Sequence, residues 1–315
     1  MKVRYTLLAM AALFTPALAA TTQQPDRFAG VPTISAQRLT GSLTVGADTN
    51  YVGRGLLISH SVAEGDGAEY AALKMNYDIN KEKFWSIDST IMYKTVSSGH
   101  TLYGPSPYAV TMSSPKNIEN EFVVATGGRY TTNKLNIAFG HKFVHGGLLG
   151  VMAKHYRHQG ASVVNEVYLS PSVSPVKWLE AGVTVSYSFA GIQGWWYEPY
   201  ITFKAPIFGE PQQENSMVAL LTFSMSATSN YFEPTYGACA NGPQAWWIKL
   251  STPYFASKNF MITPSVSFNW LGSGAQKANE RAAFKVNGAQ YGIFDTFVPF
   301  RNFGVVGGIS CSYLF

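Results

Sequence analysis

The chain has 315 residues, 46% hydrophobic and only 13% charged, with 29 glycines and 14% aromatic residues; that charged fraction is about half the norm for a soluble domain. No window supplies the roughly 18 consecutive apolar residues of a membrane-crossing helix, so a chain this poor in charge crosses a bilayer only as a closed barrel that pairs its backbone groups between strands. A formal net charge of +5 gives no case for a nucleic-acid partner.

Residues 1–20 read as a signal peptide. Lys2 and Arg4 form a basic start, residues 7–14 an apolar core, and Ala17-Leu18-Ala19 an A-x-A cleavage site. No cysteine follows directly, which argues against lipid attachment. Of the 23 basic residues two leave with this leader, so that 21 face 18 acidic ones in the exported chain. Residues 21–38 lack periodicity and read as a periplasmic lead-in. Residues 39–315 are expected to form an all-β, transmembrane, antiparallel up-and-down β-barrel of about twelve strands.

In residues 39–51, Gly41, Leu43, Val45, Ala47 and Tyr51 alternate against Thr40, Ser42, Thr44, Asp48 and Asn50, one apolar face against one polar. Residues 68–79 and 84–96 repeat the pattern around a tight turn and make the best hairpin in the chain. Residues 119–130 pair with 135–144, and 163–173 with 178–189. Residues 195–205, 217–229, 246–252, 260–271 and 305–315 complete the set. In 119–130, 163–173 and 217–229 both parities carry apolar residues, so the facing of these strands stays open.

Connections at 80–83, 131–134 and 174–177 are short, whereas those at 52–67, 97–118, 145–162, 230–245 and 272–304 are long and rich in Gly, Ser, Asn and Pro. Short periplasmic turns alternating with long external loops mark a bacterial outer-membrane barrel. An even strand count places both termini in the periplasm.

The polar face carries six bases, Lys74, Lys94, Arg129, Lys142, Lys204 and Lys249, and seven acids, Asp48, Asp78, Asp88, Glu121, Glu166, Glu180 and Glu198. Such charges either order a solute pathway or pair to fill a narrow interior. If the lumen is open, Asp88, Lys94, Arg129, Glu180 and Lys204 are expected to line it for an unidentified small solute. Trp195-Trp196, Trp246-Trp247, Tyr93, Tyr108 and Tyr254 suit interfacial anchoring better than a sugar platform, because most fall near strand ends.

Neither a cofactor site nor a metal site is expected, and an enzyme is not. His141 with His145, and His155 with His158, have metal-like spacing only on a helix. None of the six histidines is followed two residues later by Ser, the arrangement that puts nucleophile and base on one strand face in the outer-membrane phospholipase. Cys239, in a loop, and Cys311, in mid-strand, are too differently placed for a disulfide and read as free thiols.

Two stretches carry resemblances. The last strand, with Tyr313 and the terminal Phe315 on one face, resembles the closing strand of bacterial outer-membrane barrels, which implies recognition by the barrel-assembly machinery and an outer-membrane lipid environment. Thr49-Asn50-Tyr51-Val52-Gly53-Arg54-Gly55 resembles the Ser-Asp/Asn-Tyr-x-x-Arg-Gly signature of TorF-type porins over about thirty residues. Here Gly53 stands where that family often has an aromatic, and Leu56-Leu57 where it has Ile-Ser. The likeness implies an outer-membrane barrel and names no solute. Arg54 at the strand–loop border offers a fork of donors to carbonyls or a carboxylate, and Gly55 a tight exit from the strand.

Overall fold

The computed structural model describes residues 39–50, 52–54, 56–57, 67–79, 84–96, 120–147, 163–190, 193–230, 241–277 and 302–315. Twelve long antiparallel strands form one closed ring: β1 (Leu39–Asp48), β4 (Ala68–Asp78), β5 (Trp85–Val96), β6 (Glu121–Thr131), β7 (Leu135–His145), β8 (Val163–Val176), β9 (Leu179–Ala190), β10 (Gly194–Phe208), β11 (Ser216–Ser229), β12 (Gly242–Ser251), β14 (Phe260–Leu271) and β15 (Phe303–Leu314). Two tiny strands, β2 (Val52–Gly53) and β3 (Leu56–Leu57), make a separate hairpin after β1, and β13 (Tyr254–Ser257) edges the turn between β12 and β14.

The ring closes where β15 pairs with β1, Ser312 opposite Thr44 and Tyr313 opposite Leu43. Phe315 extends the pairing by one residue: Gly41 N donates to Phe315 O at 2.8 Å and Phe315 N to Gly41 O at 3.1 Å. The Phe315 ring lies against Gly41, where a Cβ would come within 2.7 Å of Phe315 Cζ. Only a glycine leaves room for that ring beside the seam.

The distribution of polarity is the reverse of a water-soluble domain. Ile87, Phe139, Val167, Leu169, Ile201, Phe223 and Ile309 are exposed, while Ser86, Glu166, Ser172, Ser186, Ser226, Asn269 and Ser312 are buried. Period-two alternation puts the first set outside and the second inside. An outer face of this kind is solvated by hydrocarbon rather than water. It is bounded at the short-turn end by Trp85 on Tyr130 (ring centroids 4.9 Å), Trp178 on Phe203 and Phe208 on Tyr254. At the long-loop end Tyr187 meets Trp195 at 4.8 Å and Trp270 meets Phe303 at 5.5 Å.

Tertiary pairing settles the strands whose facing the sequence leaves open. In β6 Phe122 is exposed and Val123 buried, in β8 Val167 and Leu169 are exposed and Val164 buried, and in β11 Phe223 is exposed and Val218 buried. The alternation of short and long connections has one exception. Only residues 191–193 separate β9 from β10 at the long-loop end, while the opposite end carries the longer turns 209–215 and 252–259. The signal peptide 1–20, the lead-in 21–38, loop 97–118, residues 278–301, Tyr51, Gly55, Tyr108, His60, His100, His155, His158 and Cys239 lie outside the described residues. Cys311 is a free, half-buried thiol on β15.

Candidate functional site in the lumen

The five charges expected to line a lumen fall into pairs set by strand register. Asp88 on β5 stands opposite Asn76 on one side and Gly127 on the other. With no side chain at Gly127, Arg129 reaches back along β6 and its Nε donates to Asp88 Oδ2, while Asn76 Nδ2 donates to Oδ1. Glu180 on β9 faces Thr202 on β10. The residues two on either side of Thr202 converge on it: Lys204 Nζ donates at 2.6 Å and the Tyr200 hydroxyl at 2.8 Å. Both are diagonal cross-strand contacts.

Lys94 stands directly opposite Glu121 and lies 3.8 Å from Asp48 Oδ2. These pairs neutralise much of the wall. Two inner-face cations differ. Lys74 on β4 and Lys249 on β12 are exposed at mid-strand, and neither has a carboxylate within 4 Å among the described residues.

The second concentration of polar groups lies toward the long-loop end around Glu166, which is completely buried. Lys142, its register partner on β7, donates from Nζ at 2.7 Å, and Arg54 Nη2 donates to the same Oε2. The Arg54 guanidinium also lies 4.7 Å over the Trp196 ring, with Nε 4.0 Å from Glu198 Oε1. Trp196 Nε1 donates to Glu198 Oε1 at 2.8 Å, and the Ser226 hydroxyl donates to the Arg54 carbonyl at 3.0 Å. Arg54 therefore engages the Glu166 carboxylate through one guanidinium nitrogen and lies over an aromatic platform.

No family model and no curated protein matches the sequence. Similar solved structures include the KdgM porin (8% identity, covering 87% of this chain and 99% of that one, TM-score 0.45). Others are the NanC porin (11%, 87% and 98%, 0.44) and the COG4313 outer membrane channel from Pseudomonas putida F1 (6%, 93% and 100%, 0.48). What this lumen can do is set by the chain's own residues.

Period-two reasoning missed the cluster around Arg54. That residue follows a strand end, where alternation no longer assigns a direction, and its partners lie 112 and more residues away. The tryptophan pairs need a correction as well. Trp195 and Trp246 are exposed anchors, but Trp196 is 1% exposed and points inward, and Trp247 sits between inner-face Ser224 and Asn269. Adjacent residues on a strand face opposite ways, so two neighbours cannot both be girdle residues.

His141 and His145 belong to β7, on its outward parity with Phe139, and not to a loop. His141 Nε2 lies 3.1 Å from Asn165 Oδ1, so each supplies the other with a partner that lipid does not offer. No group of three or more potential metal ligands occurs among the described residues.

Proposed function

We propose that the protein is a passive porin of a bacterial outer membrane, a water-filled path for small solutes whose selectivity comes from wall charges. The observation that carries this reading is the exposure of Lys74 and Lys249 on the inner face at mid-strand. Side chains that fill a closed interior are shielded by one another, whereas these two project into open space. Twelve strands also lie between the filled eight-stranded barrels and the open sixteen-stranded ones.

In this reading Asp88, Lys94, Arg129, Glu180 and Lys204 line the path, the outward apolar band sits in outer-membrane lipid, and residues 1–20 direct export. Tyr313 and Phe315 form the signal read by the assembly machinery. The test is single-channel recording of the refolded chain in a planar bilayer. Discrete conductance steps that change in Asp88→Asn and Lys94→Gln are expected; a silent, correctly folded barrel overturns the reading.

A further inference from the structure

The twelve strands, about 4.8 Å apart and tilted about 40°, close into a ring roughly 25 Å across. Counted round that ring, β1-β4-β5-β6-β7-β8 places β8 five strands from β1, and β1-β15-β14-β12-β11-β10 places β10 five strands away in the other direction. The β2–β3 hairpin leaves β1, yet its Arg54 binds Glu166 of β8, stacks on Trp196 of β10 and accepts a hydrogen bond from Ser226 of β11. An arginine side chain spans only about a quarter of that diameter. The backbone that carries Arg54 must itself cross the lumen.

Three further features show that this crossing is built in. Arg54 adopts φ +53°, a left-handed conformation that non-glycine residues enter at a cost, here offset by an ion pair, an aromatic face and a backbone hydrogen bond. Leu56 is 1% exposed, and β3 packs beside β14. The carboxylate that receives the guanidinium is itself fully buried and is held from the barrel wall by Lys142 as well.

We infer that the β2–β3 hairpin is the constriction of the pore and that Arg54 is the latch that fixes its width. This rests on the porin reading above. Among the described residues this hairpin is the backbone drawn across the ring, and it sets the largest solute that passes. Arg54 acts by positioning the hairpin, with Glu166 and Trp196 as its seat.

The experiment is single-channel conductance, with liposome-swelling rates for neutral sugars of increasing size, on wild type, Arg54→Ala and Arg54→Lys. Releasing the latch should raise conductance about two-fold or more, as expected for a pore limited by its narrowest section, and admit larger sugars. Arg54→Lys, which keeps the charge without the fork, should fall between. Leu56→Ser loosens the same hairpin from its buried side and serves if Arg54→Ala fails to fold, with the same rise expected.

A silent wild type beside a conducting Arg54→Ala overturns the porin reading, and with it the constriction that rests on it, in favour of a sealed barrel. Equal conductance and equal size limits in wild type and variants overturn it while the porin reading stands. Silence in every folded variant overturns both.

Discussion

In the porin reading, Lys74 and Lys249 are the charges a passing solute meets with no carboxylate within 4 Å among the described residues. Four inner-face acids are held by bases: Asp48 by Lys94, Asp88 by Arg129, Glu180 by Lys204, and Glu166 by Lys142 and Arg54. Six bases against seven acids therefore do not by themselves fix the charge of the path, because paired charges cancel at short range and projecting ones do not. One unit charge about 8 Å away in water contributes about 0.5 kcal/mol, roughly a two-fold change in local ion concentration. The double substitution Lys74→Gln/Lys249→Gln should shift the reversal potential in a salt gradient toward cations by about this factor. An unchanged reversal potential would mean that ions pass out of reach of both lysines. The alternation assigns both lysines a side, but their lack of a carboxylate partner depends on which strands close beside them.

At the scale of elements, β6 and β7 place Gly127 opposite Gly140. A Cβ on Gly127 would lie 2.8 Å from Gly140 Cα and closer still to the Phe139 carbonyl oxygen. Neither glycine has a positive φ; they are present for space, where two strands bend together. Gly140→Ala should destabilise the barrel by about 1–3 kcal/mol, the usual result of forcing an extra group into a packed site. A lower urea midpoint for the detergent-folded protein checks this, and an unchanged midpoint would show that the strands can separate there at no cost. The same gap beside Asp88 lets Arg129 reach it, so packing and charge pairing share one cause. The sequence leaves the facing of the strand that carries Gly127 open and does not show that the two glycines meet, since register is a relation between strands.

For the whole molecule, closure depends on the seam between β15 and β1. Phe315 contributes two backbone hydrogen bonds with Gly41 and a ring that covers it. Deleting Phe315 removes both bonds and uncovers the glycine. If the terminal aromatic is also an assembly signal, the deletion should lower the folded fraction in cells far more than in detergent refolding, measured as the heat-modifiable band on a gel. Equal losses in the two settings would assign Phe315 to seam stability alone.

The sequence by itself determined the barrel: low charge without an apolar helix-length run, period-two alternation, and short turns set against long loops. These are local properties, because each strand must hold its polar side away from hydrocarbon whichever neighbour it has. Only the tertiary structure decided which charge neutralises which, how β6, β8 and β11 face, and that Trp196 and Trp247 point inward. The hairpin crossing is the extreme case. Arg54 lies beyond the end of β1, where alternation stops, and its seat is assembled from Glu166, Trp196, Glu198 and Ser226 on strands that meet it only when the ring closes.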